Sequence, residues 1–206
     1  MVVDVGIDEV GRGSWAGPVV VAAAYGDQER AASILGCGSG YRDSKALSPK
    51  RRASALAELS ASGVCFVIGE ASASEIDGIG LTGALRSAAL NALAGLRASR
   101  ILLDGKHDYI REGPVTTLVG GDRLHPLIAA ASIAAKVYRD DLMSRLDGEL
   151  PWWDLAANKG YGSRRHLAAL RAWGISTEHR LSFAPMRHVP GCSGTAFMIE
   201  GGRKRA

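Results

Sequence analysis

The stretch VGIDEVGRGSWAGPVVVAA, residues 5–23, consists of two apolar, β-branched runs joined by a glycine-rich link. It reads as strand, turn, strand, with adjacent carboxylates, Asp8 and Glu9, near the end of the first run. Consecutive side chains on a strand point to opposite faces, so both acids can serve one site only if the chain bends there. Gly11 and Gly13 permit such a bend. They do not form a dinucleotide fingerprint: Gly11, Gly13 and Gly17 lack the G-x-G-x-x-G spacing, and PVVVAAAY reads as a strand where that motif needs a helix. No phosphate-binding G-x-x-x-x-G-K-[ST] occurs either.

Outward from this pair, strand and helix patterns alternate. A short helix is expected over 29–35. Another begins at Pro49, capped by Ser48 and closed by Gly63. VCFVIGEA (64–71) is a third strand, and residues 72–96 are helical after a glycine-punctuated start, with Leu81, Leu85, Ala88, Ala92 and Leu96 on one face. RILLDG and VTTLVGGD are strands closing on Asp104 and Asp122. LHPLIAAASIAAKVYRDDLMSRL (124–146) is a long helix with Ile128, Ala131, Ala135, Leu142 and Leu146 inward. PWWDLAANKGYGS is a loop, followed by a helix over 164–173 between Ser163 and Gly174. The fold class is therefore α/β, a mixed β-sheet flanked by helices with a small C-terminal helical extension. The expected division is a core over 1–146 and an extension over 147–206.

Charge separates the same two regions. Residues 1–150 hold 16 Lys/Arg against 18 Asp/Glu, whereas residues 151–206 hold 9 against 3. A basic tail beside a more acidic body suits either a polyanion-binding surface or a solubilising face. The three cysteines are widely spaced and form no C-x-x-C or Cys/His cluster, and the five histidines show no metal-ligand spacing, so nothing suggests a zinc site. No secretory signal or long apolar span is evident, so a soluble, cytoplasmic protein is expected.

The residues best suited to chemistry are the carboxylates at strand ends: Asp8, Glu9, Asp104 and Asp122. Singly, each could be a turn residue or a helix N-cap, as Asp122, which precedes a helix, illustrates. Gathered in one place they would repel one another, and a hard, oxygen-preferring divalent cation would relieve that repulsion. Two such ions can activate water and stabilise the leaving oxygen in phosphodiester hydrolysis.

In order along residues 4–188, GIDEVGRGSWAGPVVVAA, DSKALSPKRR, EIDGIGLTGAL, LLDG, GGD, IAAASIAAKVYRD, NKGYGSRRHLAAL and HRLSFAP resemble the type 2 ribonucleases H, specifically bacterial ribonuclease HII. The resemblance implies a ribonuclease H-like fold. It also implies an endonuclease acting on the RNA strand of RNA/DNA hybrids and nicking 5′ of single ribonucleotides in duplex DNA, leaving 3′-OH and 5′-phosphate ends during ribonucleotide excision. The family's catalytic carboxylates fall on Asp8, Glu9, Asp104 and Asp122, which would hold Mn²⁺ or Mg²⁺, two ions with substrate bound. Gly11, Arg12 and Gly13 would read the ribonucleotide, and Tyr161 would stack on the sugar after it. Lys45, Lys159, Arg164, Arg165 and Arg171 would meet the duplex backbone. Ser132 and Lys136 face one side of their helix and suit core-edge packing as well as substrate contact. His166 is expected to be structural support. A sliding clamp is a candidate partner and the chain is expected to be a monomer. The family's frequent Lys before the third acid is replaced here by Gly120-Gly121. The alternatives are a non-catalytic binding module of the same fold, ribonuclease HIII, or a resolvase. The first strand begins too early for the N-terminal extension common in ribonuclease HIII.

Overall fold

The computed structural model describes residues 3–36 and 47–189. Along the chain come β1 (Val3–Val10), β2 (Val19–Gly26), α1 (Gln28–Leu35), α2 (Pro49–Ala61), β3 (Val64–Ala71) and α3 (Ala73–Leu93). There follow β4 (Ala98–Asp104), β5 (Val115–Leu118), α4 (Gly121–Leu124), α5 (Pro126–Glu149), α6 (Leu155–Asn158) and α7 (Arg164–Trp173). The five strands form one sheet in the order β3-β2-β1-β4-β5. β1 runs antiparallel to β2 and parallel to β4, and β5 is parallel to β4, so the sheet is mixed, as the early hairpin and later alternation imply.

The described chain falls into two compact units. The first takes Met1–Val10, Val20–Glu70 and Leu85–Tyr138 and contains nearly all of the sheet. Val20, Ala22 and Ala24 of β2 pack there with Ala31 and Leu35 of α1, Leu59 of α2, and Ala130, Ala131, Ile133 and Ala134 of α5. The small side chains let helix and sheet approach closely. At Gly6 the limit is reached, because a Cβ there would lie 2.3 Å from the Leu127 carbonyl carbon. This contact seats the start of α5 on the face of β1 that also carries Asp8, two residues along.

The second unit takes Gly11–Val19, Ala71–Ala84 and Arg139–Ala206. Its core gathers Met143, Leu150, Trp153, Leu155, Leu170, Ile175 and Met186 around Ala16. Ser163 caps α7 through its hydroxyl, which accepts from the His166 N–H, and Gly174 ends it. Residues 151–163 are not the plain loop expected from sequence. A 3₁₀ turn (Pro151–Trp153) and α6 lie within it, bounded by Asp154 and Lys159 at φ of 56° and 52°. Single-turn helices are too short to show periodicity, which is why the pattern misses them. No described helix is long and apolar enough to cross a membrane.

Candidate active site and substrate-recognition segments

In the first unit, β1 and β4 carry their acids side by side. Ile7 pairs with Leu103, so Asp8 and Asp104 are the next residues along two parallel neighbours. The ladder β1/β2 stays in register through Val10, with no bend between Asp8 and Glu9. The bend comes one residue later, at Gly11, whose φ is +91°. The two side chains therefore leave the strand on opposite faces and the expected bend between them is absent, yet the Glu9 carboxylate lies near enough for its charge to act on Asp8, so the two share one strand end without it. Asp8 is held from α5 by a hydrogen bond with Ser132 and accepts the Glu9 N–H at 2.8 Å. The Glu9 carboxylate accepts from the Tyr109 hydroxyl at 3.0 Å.

Asp104 ends β4, and its Oδ1 accepts the Gly121 N–H at 2.7 Å. A Cβ on Gly121 would meet Ile128 Cδ1 at 2.6 Å, Leu118 Cβ at 3.2 Å and Asp104 Oδ1 at 3.3 Å, so a side chain there would displace the Ile128 tip and crowd the Asp104 carboxylate. Asp122 is displaced from its expected strand end: β5 stops at Leu118, and Asp122 lies in the first turn of α4, where an acid suits the helix dipole. Arg123 pairs with it at 4.0 Å, so a positive charge follows this acid although Gly120 and Gly121 precede it.

The electrostatics bind three of these groups together. Asp8 is only 8% exposed, and burial pushes its carboxyl up to about 7, with the fields of Glu9 and Asp104 adding to the rise. The bonds from Ser132 and the Glu9 N–H oppose it. The donors are all hard oxygens and repel one another. Among the described residues no group of three or more His, Cys, Asp or Glu side chains is already placed to hold a metal ion. The donor chemistry of the four acids, carboxylate oxygens only, is the kind that suits a hard divalent ion which keeps water and shares its shell with phosphate oxygens.

In the second unit, the segment Gly11–Pro18 is gripped by two buried arginines. Arg139 donates from Nε to Pro18 O (2.9 Å), from Nη2 to Ala16 O (3.1 Å) and from Nη1 to Lys159 O (2.8 Å). Arg180 donates twice to Gly17 O, at 3.0 and 2.8 Å, and once to Arg12 O at 3.0 Å. A Cβ at Gly11 would lie 2.3 Å from Arg139 Nε, which excludes any other residue. Arg12 and Gly13 are exposed at the tip. Tyr161 is 41% exposed, with the Arg139 guanidinium 5.9 Å from its ring centre.

The basic residues divide. Arg164, Arg165 and Arg171 are exposed on α7, with Arg165 also pairing with Asp154 at 3.3 Å. The Lys159 ammonium donates to Asp140 O and Ser144 Oγ, both at 3.0 Å, so it tethers its loop to α5 within this unit. Lys45 lies outside the described residues. His166 is fully buried, as its reading as structural support requires. Sequence reasoning overlooked Tyr109, Arg139 and Arg180. A signal for Arg139 was present: it falls four residues after Ala135, on the inward stripe of α5, where a charge must find buried acceptors.

The chain is similar to known proteins over most of its length. Residues 5–186 match the family model for ribonuclease HII. Ribonuclease HII of Verminephrobacter eiseniae is 43% identical over 189 residues, 90% of this chain and 88% of that one. Ribonuclease HII of Streptomyces griseus is 44% identical over 191 residues, 90% and 78% of the two chains. Among solved structures, the PCNA:RNase HII complex from Archaeoglobus fulgidus superimposes with a TM-score of 0.75 at 26% identity, covering 88% of this chain and 95% of that one. With its mixed five-stranded sheet, its strand-end acids and these relatives, the chain belongs to the ribonuclease HII family, whose members are hydrolytic nucleases of the ribonuclease H type.

Proposed function

We propose that this ribonuclease H nicks duplex DNA on the 5′ side of single embedded ribonucleotides, as well as RNA/DNA hybrids, leaving 3′-OH and 5′-phosphate ends. The observation that supports it most is the buried Asp8 carboxylate lying in the fields of Glu9 and Asp104. Asp8, Glu9, Asp104 and Asp122 would hold Mn²⁺ or Mg²⁺, which when bound supplies an activated water and neutralises charge on the phosphate. Asp8 is fixed by Ser132 and by its neighbour's N–H; Glu9 is oriented by Tyr109; Asp104 is oriented by Gly121.

Recognition falls to the second unit's residues. Backbone groups of Gly11–Gly13, held in place by Arg139 and Arg180, suit a 2′-hydroxyl, the group that separates RNA from DNA. Arg12 meets a phosphate and Tyr161 stacks on the following sugar. We read 1–146 as the catalytic core and 147–206 as a basic extension whose Arg164 and Arg165 contact backbone phosphates, which supply affinity and salt dependence but no sequence preference. The archaeal relative's complex with PCNA supports a sliding clamp as a docking partner.

The deciding experiment is incision, with Mn²⁺, of a duplex carrying one ribonucleotide, compared with a duplex carrying a run of at least four. Cleavage confined to the run would remove the single-ribonucleotide reading. Binding with no nicking of either would favour a non-catalytic module. Asp104→Asn should bind the hybrid and hardly cleave it.

A further inference from the structure

A chain of hydrogen bonds in the second unit ends on the backbone of Tyr161, and one donor of fixed identity sets the direction of every proton in it. The Ser176 N–H lies 3.0 Å from His179 Nδ1. A backbone amide can only donate, so this nitrogen carries the lone pair. Ser176 Oγ, 2.8 Å from the same nitrogen, donates to it while accepting the Glu178 N–H at 3.3 Å. In the neutral ring the His179 proton is consequently on Nε2. That atom faces His166 Nε2 at 3.0 Å, and two ring nitrogens can bond only if one donates. His166 Nε2 must accept, which leaves the His166 proton on Nδ1, 3.0 Å from the Tyr161 carbonyl.

We propose that His166 and His179 are positioning residues for ribonucleotide discrimination: their locked tautomers aim a donor at the Tyr161 carbonyl and so fix the pose of its half-exposed ring. This rests on the reading that Tyr161 stacks on the sugar after the ribonucleotide. Both imidazoles are buried, at 0% and 2% exposure, whereas Tyr161 is 41% exposed. Trp15 lies 5.7 Å from His166 and Trp153 lies 5.6 Å from His179, ring centre to ring centre, walling the pair off from water. Burial holds both rings below the ordinary imidazole range, His179 down to about 3, in keeping with a neutral relay. The backbone around Tyr161 is constrained on both sides. Its N–H donates to Asn158 O at 2.9 Å, its carbonyl also accepts the Ser163 N–H at 2.7 Å, and a Cβ at Gly162 would lie 2.0 Å from the Trp15 ring. The His166 donor is the side-chain link from the Tyr161 carbonyl itself to the buried interior of the unit, beside the Trp15 and Ala16 N–H groups that donate to Gly160 O.

A pair of isosteric variants separates positioning from packing. His166→Asn keeps an N–H donor where Nδ1 stands, whereas His166→Gln puts its amide where Nε2 stands and leaves the Tyr161 carbonyl without its side-chain donor. The readout is the ratio of incision efficiency on a single-ribonucleotide duplex to that on an RNA/DNA hybrid, with KM and kcat determined separately and Tyr161→Ala measured alongside. Tyr161→Ala and His166→Gln should both lower the ratio, the latter about fivefold and chiefly through KM, the size expected for one neutral hydrogen bond. His166→Asn should restore it to within about twofold. Independently, ¹⁵N NMR of the metal-free wild-type protein should show His179 protonated on Nε2 and His166 on Nδ1. That measurement decides the matter if the glutamine variant fails to fold. The opposite tautomer in either ring overturns the proposal, and so does a folded glutamine variant with an unchanged ratio while Tyr161→Ala loses it. If Tyr161→Ala itself keeps the ratio, the stacking reading falls and removes the relay's part in discrimination, an outcome distinct from the other two.

Discussion

Asp8→Asn should stabilise the metal-free protein at alkaline pH while abolishing its activity. The Asp8 carboxyl sits at about 7 rather than 3.8, through burial first and then the fields of Glu9 and Asp104. Because the folded value lies above the unfolded one, the folded protein holds an extra proton between about pH 4 and pH 7, and stability falls across that window as pH rises. Each tenfold change in proton affinity is worth about 1.4 kcal/mol, so ionising Asp8 in the folded chain costs at most about 4 kcal/mol above pH 7. Asparagine keeps an oxygen for the Glu9 N–H and a polar group for Ser132, but carries no charge. Allowing for relaxation and water entry, a gain of about 2 kcal/mol at pH 8 is expected, or roughly 4–8 °C in midpoint for a chain of this size. At pH 5, where the wild-type carboxyl is protonated, the two proteins should melt within about 1 kcal/mol of each other. Calorimetry in chelator at the two pH values, beside an incision assay with Mn²⁺, makes the comparison. A variant less stable than wild type at pH 8, or a gain of equal size at pH 5, would refute the account of a costly buried charge at Asp8.

Four further outcomes follow from the same geometry. Gly121→Ala should cost about 1–3 kcal/mol in thermal unfolding and slow incision, because the added methyl collides with Ile128 and loosens the bond to Asp104. Tyr109→Phe removes the hydroxyl that orients Glu9 and should lower the incision rate about fivefold while costing about 1 kcal/mol of stability. Arg139→Met leaves the carbonyls of Ala16, Pro18 and Lys159 without this donor; chemical denaturation should show a loss of about 3 kcal/mol. Arg164→Gln with Arg165→Gln should weaken hybrid binding and reduce the slope of log K against log salt by about 1 for each phosphate that is no longer neutralised, measured by titration across salt concentrations.

What the sequence made legible follows from the range of the interactions involved. Strands and long helices announce themselves through sustained apolar runs: β2 is apolar at every position from Val19 to Tyr25, and α5 is buried at every position from Leu127 to Ala135. The acids were legible for a different reason. Asp8 and Asp104 each close an apolar run, and a parallel ladder between those runs brings them together without any knowledge of loops. Asp122 was placed on the wrong element because Gly120 adopts φ of +68° and ends the strand early, and a glycine by itself does not announce where it turns. Tyr109 and Arg180 were illegible, since each acts on a partner 100 or more positions away through one hydrogen-bonding group, and no local pattern encodes that. The same holds for the imidazole pair. His166 and His179 are 13 residues apart, each ordinary in its own motif, and only their Nε2 atoms meeting at 3.0 Å makes of them a directional relay. Chemistry-bearing residues at the ends of regular elements can thus be read from a chain, because the elements carry them into place. The groups that hold those residues in their working pose become visible only once donors and acceptors are paired in space.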